Sequence, residues 1–128
     1  MSAFESKEAM EKVLLKMAEL MQSDEALIAG SKGKKVSVCY KFPDLGVFFY
    51  NKFVDGKVEA GLGELKDADM QLKMTSDIFD GMNTGKVNAA RAAMKGDIAY
   101  TGNVTAGMKI QGLQGDIGRV YQKAKASA

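Results

Sequence analysis

The chain has no histidine, one cysteine and one proline among its 128 residues. Without histidine it lacks the commonest general base near neutral pH and the commonest zinc ligand. The single cysteine, Cys39, excludes an intrachain disulfide and a cysteine-rich metal site. With no histidine to serve as its base, Cys39 reads as a small residue of a strand and not as a nucleophile. No run approaches the roughly 18 apolar residues that would span a bilayer. The opening Met-Ser-Ala-Phe-Glu-Ser-Lys-Glu is acidic early and has no apolar stretch, so no signal peptide is expected and the protein reads as cytoplasmic. Neither sign of charge dominates: 18 basic and 16 acidic residues are interspersed and leave a net charge of +2. That balance does not support a phosphate-tracking surface, and no nucleic-acid partner is expected.

The hydrophobic fraction is 46% and the charged fraction 27%, ordinary globular usage for one domain over residues 1–128. Met10, Val13, Leu14, Met17, Leu20 and Met21 recur at three- and four-residue spacing and define one helical face. Ser2 with Glu5 has the spacing of a capping box. Ser23 before Asp24 and Glu25, then Gly30, suggests a second short helix or a kink. After residues 31–34 the period changes to two. Val36, Val38, Tyr40 and Phe42 alternate with Lys35, Ser37, Cys39 and Lys41, the pattern of a half-buried strand.

Pro43-Asp44-Leu45-Gly46 supplies a turn, Val47–Val54 is β-branched and aromatic-rich, and Asp55-Gly56 is a hairpin signal. Val58, Ala60 and Leu62 alternate next, followed by Ala68, Met70, Leu72 and Met74. Four strands with short turns predict an antiparallel meander. Thr75-Ser76-Asp77, Asn88 and Asn103 each cap a helix in the second half, and residues 97–101 read as a fifth strand. Ile117, Val120, Tyr121 and Ala124 form the stripe of a C-terminal helix. The expected class is α+β.

Motifs for chemistry fail on inspection. Thr84-Gly85-Lys86 resembles part of a phosphate loop, but Asp80 and Val87 stand where glycine and a hydroxyl residue are required. Gly61-Leu62-Gly63 lacks the third glycine of a dinucleotide fingerprint. Asp67 with Asp69, and Asp77 with Asp80, lie at a strand start and a helix cap, where aspartate is favoured for local reasons. No catalytic residue, metal or cofactor is therefore expected. What remains is apolar: nine methionines, mostly on inferred inner faces. Methionine is flexible and polarisable, equally suited to filling an irregular core and to an adaptable ligand pocket.

Residues 74–113 sharpen the reading. Phe79, Met82, Gly85-Lys86-Val87-Asn88, Ala92, Gly96, Thr101-Gly102-Asn103 and Met108-Lys109-Ile110-Gln111 through Leu113 resemble the signature half of sterol carrier protein type 2 domains. The upstream order, helices then hairpins, agrees with that family. The resemblance implies a five-stranded antiparallel sheet covered by helices, an apolar tunnel between them, and non-catalytic binding or transfer of fatty acids, acyl-CoA, sterols or phospholipids. It places Phe79, Met82, Met94, Met108, Ile110 and Leu113 on tunnel-side elements, with Val120 and Tyr121 added by a closing C-terminal helix. Ala89 stands where the family usually has proline, Ala93-Met94 where it has two phenylalanines, and Asp97 where a basic residue is common; the lost bulk implies a wider cavity. The ending Ala-Ser-Ala is not the peroxisomal Ser-Lys-Leu address.

The expected partner is an apolar small molecule, with transient membrane-surface contact, and the protein is expected to be a monomer or weak dimer. An accessory module that receives a partner's apolar helix in the same groove is the alternative. The C-terminal helix, with Arg119, Lys123 and Lys125 on its other face, reads either as a mobile lid or as a plainly docked helix.

Overall fold

Ser6, not Ser2, opens the first helix: its hydroxyl accepts from the Ala9 N–H at 3.1 Å. In this computed structural model, which describes residues 2–128, α1 runs Lys7–Ser23 and α2 Glu25–Ser31. Asp24, rather than Ser23, caps α2 by accepting from the Leu27 N–H. Burial acting alone would raise the Asp24 carboxyl, but the Arg119 hydrogen bond, the Leu27 N–H and the nearby cations outweigh it and hold its pKa below the ordinary value. The remaining elements are β1 (Lys35–Phe42), β2 (Val47–Val54), β3 (Lys57–Leu62), β4 (Met70–Lys73), α3 (Ser76–Asn83), α4 (Ala89–Met94), β5 (Ala99–Gly102), α5 (Val104–Gln111) and α6 (Gln114–Ser127). Thr75, Asn88 and Asn103 cap α3, α4 and α5 through their side chains, as the spacing predicts.

The five strands lie in the order β3-β2-β1-β4-β5, and the sheet is mixed rather than antiparallel. The β1–β2–β3 meander forms as expected. Asp55 and Gly56 both take positive φ (43° and 88°), the pair of left-handed residues that a tight hairpin turn requires. The fourth strand departs from the meander. Residues 63–69 carry the chain across the sheet, and β4 pairs parallel with β1, Val38 opposite Met70 and Tyr40 opposite Leu72. The crossover lies on the face away from the helices. There the Leu65 N–H points at the Cys39 sulfur at 3.4 Å, and Gln71 donates to the Leu65 carbonyl. It buries Cys39, whose thiol pKa is pushed up by that burial. A protonated, covered thiol is not a nucleophile.

Helices cover the other face unevenly. Over β3 and β2, α1 lays down Met10, Leu14, Met17 and Met21, all fully buried, and α6 packs against α1 and α3. Phe79 of α3 is the hub of the core, meeting Phe42, Tyr40 and Tyr121 edge-on at centroid distances of 4.9, 5.2 and 5.4 Å. Cover over the other half of the sheet is thinner. Between residues 85 and 105 only Ala92 and Ile98 are buried.

Two tyrosines inside this frame tie stability to alkaline pH. Burial raises the Tyr40 phenol pKa, against a small opposing effect of the Asn51 amide; burial and the Asp80 carboxylate both raise that of Tyr121. Unfolded tyrosine ionises near about pH 10, so the stabilisation from the neutral phenols is complete below that pH and is lost as pH climbs past it. Each phenol lowers stability by at most about 1.4 kcal/mol per pH unit above that point, a growing load on a domain of ordinary marginal stability. Phenolate absorbance of Tyr40 and Tyr121 is expected to appear in step with the loss of far-ultraviolet ellipticity. Gradual ionisation of all four tyrosines in a still-folded chain would contradict this.

Candidate functional site

The thinly covered half of the sheet holds an apolar cleft of about 440 Å³. Its floor is Tyr40 of β1, Met70 and Leu72 of β4 and Tyr100 of β5; its walls are Met82 of α3, Ala89, Ala90 and Ala93 of α4, Ile98, and Val104, Gly107, Met108, Ile110 and Gln111 of α5. Gln114 closes the end at the start of α6. The volume falls within the range of small-molecule pockets, roughly 300–1,000 Å³. No charged side chain lines it. Two of its four polar side chains are engaged elsewhere: the Tyr100 hydroxyl donates to the Asn103 carbonyl at 2.6 Å, and Gln114 donates to Asn83 at 3.0 Å.

Why the cleft opens here follows from local chemistry. Four of the α4 residues are alanine, so the helix cannot reach the sheet with bulk. Gly107 brings α5 close to Tyr100, whose hydroxyl lies 3.3 Å from where a Cβ would stand. Gly81 lets α3 meet Val87, since a Cβ there would sit 2.3 Å from a Val87 methyl. These contacts fix the helices around the cleft without filling it. At the mouth Val104 and Met108 are 77% and 67% exposed. Their one-turn spacing on α5 presents two apolar side chains to solvent beside the opening.

Of the residues singled out in the sequence, Met82, Met108 and Ile110 line the cleft. Phe79 lies behind its floor in the aromatic cluster, and Leu113 is buried against Gly30 of α2. Val120 and Tyr121 are buried where α6 meets α1 and α3, away from the cleft. Met94 is 87% exposed and does not line it. The floor residues Tyr40, Met70 and Leu72 were visible only as one face of alternating strands; nothing in that pattern says which part of the face is left uncovered.

One polar group breaks the apolar inner face. Asn51 of β2 is fully buried, and among the described residues neither its amide oxygen nor its amide nitrogen has a hydrogen-bond partner. Leaving such a group unpaired costs on the order of 1–3 kcal/mol, and its place in the alternation of β2, between Phe49 and Phe53, is the signal that sequence reading passed over. Elsewhere three of the four paired aspartates make contacts far apart in sequence, not the local ones expected. Asp69 accepts from the Ser37 N–H, Asp77 from the Ala3 N–H, and Asp80 from the Tyr121 hydroxyl. Among the described residues no cluster of ligating side chains suited to a metal ion occurs.

A mixed five-stranded sheet with an uncharged apolar cleft under its helices defines a small α+β domain built around an apolar cavity. The chain belongs to the SCP-2 sterol transfer family, whose model matches residues 14–115, and so to a family of lipid-binding and lipid-transfer domains. Its fold is that of a conserved hypothetical protein of Thermus thermophilus (TM-score 0.71, 16% identity, 97% of this chain and 92% of that one). It is also that of a crystal structure of sterol carrier protein 2 (TM-score 0.64, 17% identity, 88% and 95%). A match to the sec-alkylsulfatase Pisa1 of Pseudomonas sp. (TM-score 0.57, 18% identity) covers 73% of this chain but only 14% of that enzyme. No curated protein sequence matches the chain.

Proposed function

We propose that the protein binds a long-chain lipid, an acyl lipid or a sterol-like molecule, in the cleft between β1-β4-β5 and α4-α5, and carries it without catalysis. The observation that carries this reading is a sizeable cleft lined by no charged side chain. Burial of each CH₂ contributes about 0.8 kcal/mol, so an extended chain binds firmly with few polar contacts. Met82, Met108 and Ile110 contact the ligand; Phe79 and Leu113 back the cleft; Val120 and Tyr121 hold the frame through α6. Met94 belongs with Val104 and Met108 to the rim.

The mouth suits contact with a membrane surface. Residues 86–111 carry four basic side chains, Lys86, Arg91, Lys95 and Lys109, against the single acid Asp97, together with the exposed apolar side chains Val104, Met108 and Met94. Among the described residues no helix is long and apolar enough to cross a bilayer. Native mass spectrometry of freshly purified protein is expected to show a bound lipid, extractable into organic solvent. Protein that arrives empty and stays empty after mixing with vesicles of anionic phospholipid would refute the proposal.

A further inference from the structure

One strand in from the cleft floor, the inner face of the sheet carries a buried polar group. Asn51 stands opposite Val38 of β1 and Ala60 of β3, and Tyr40, a floor residue of the cleft, is its diagonal neighbour on the same face of β1. Adjacent strands are about 5 Å apart, so the amide lies one strand beyond the cleft's visible floor. Around it the inner face is Val36, Val38, Phe49, Phe53 and Ala60, all apolar. On the inner face of β1 to β3 the only other polar side chain is that diagonal neighbour, Tyr40, yet among the described residues the Asn51 amide makes no hydrogen bond. Buried amides are almost always paired, and an unpaired one calls for a missing partner.

We propose that Asn51 and Tyr40 form the inner end of the ligand site, where they hold one uncharged oxygen, a hydroxyl or a carbonyl, on the buried end of the lipid. This rests on the cleft being the lipid site. An amide offers two donors and an acceptor, and a phenol one of each, which together satisfy either oxygen. A carboxylate or phosphate does not fit, because no cation lines the cleft and an unpaired charge is far costlier to bury than a hydroxyl. An anionic head group therefore stays at the basic rim, and the inner end selects alcohols and carbonyl compounds.

The test compares three ligands of equal chain length, dodecane, dodecanol and dodecanoate, by displacement of a fluorescent fatty acid from the purified protein and from the variants Asn51→Leu and Tyr40→Phe. Asn51→Leu is expected to weaken dodecanol about five- to tenfold, the loss of one or two buried hydrogen bonds, and to leave dodecane unchanged or tighter. Tyr40→Phe, which keeps the ring and its packing, is expected to shift the alcohol-to-alkane ratio in the same direction. Dodecanoate is expected to bind more weakly than dodecanol while ionised and to approach it once protonated. Equal changes for alcohol and alkane in both variants, or no change in their ratio, would overturn the polar inner end and leave the cleft standing. Wild-type protein that displaces the probe with none of the three would overturn the cleft reading and this proposal with it.

Discussion

Replacing Met82 by tryptophan is expected to abolish lipid binding while leaving the chain folded. Met82 is half-buried on α3 and faces the alanines of α4 across the cleft. It packs on the core without belonging to its fully buried part. An indole at this position projects into the open volume, where the facing side chains are too small to resist it. Overpacking costs about 1–3 kcal/mol, which for a domain of this size is a fall in melting temperature of several degrees. The ligand, in contrast, loses its wall contacts and much of the volume along its chain. If some four or five CH₂ groups are displaced, about 3–4 kcal/mol of burial is lost, a several-hundredfold fall in affinity. Titration with a fluorescent fatty acid, alongside a thermal scan, separates the two effects. A stable variant that binds as tightly as the parent would place the lipid somewhere other than this cleft.

Much of the fold and part of the candidate cleft were legible in the sequence, and what was not has a common cause. Periodicity placed α1 and its buried stripe, the alternation placed β1 to β3, and the Asp55-Gly56 turn fixed their pairing, because each signal is local. Thr75, Asn88 and Asn103 announced their helices for the same reason. The β4 pairing was missed because it depends on where residues 63–69 go after β3, and a short polar segment reads the same whether it turns back or crosses two strands. Ser2 with Glu5 has the capping spacing, but the helix begins four residues later at Ser6, while the segment before it is held by Asp77, which accepts from the Ala3 N–H at 2.6 Å. The cleft was half legible: Met82, Met108 and Ile110 follow from the family-like segment, but Met94 points outward because α4 buries only Ala92. Asn51 shows the limit most clearly. Alternation says that it faces inward, and only the packed structure shows that nothing there answers its amide.

Truncating the chain after Gln114 is expected to unfold the domain, not to open a lid. The apolar stripe of α6 covers the core: Ile117, Val120, Tyr121 and Ala124 are each at most 1% exposed. Their loss removes about 1.5–3 kcal/mol for each large side chain, roughly 5–8 kcal/mol for three, and uncovers Phe79 and the α1 face as well. Set against a total stability of about 5–15 kcal/mol, that is enough to leave a largely unfolded population. The polar contacts fasten the same helix at both ends. Arg119 bonds Asp24 at 2.7 Å, while the Tyr121 hydroxyl and Lys125 share the Asp80 carboxylate. Arg119 and Lys125 are partly exposed, so solvent screens their ion pairs, which contribute little, and the burial decides the outcome. The truncated chain should therefore lose its cooperative urea transition, whereas Arg119→Ala should shift the midpoint only slightly with an unchanged slope. A truncated chain that keeps a cooperative transition and releases a fluorescent fatty acid faster than the full chain would show instead that α6 is a lid. The geometry argues against that, since among the residues of α6 only Gln114 reaches the cleft, and the helices that do close over it, α4 and α5, are held down by few buried residues, Ala92 in one and Ala106 and Ile110 in the other.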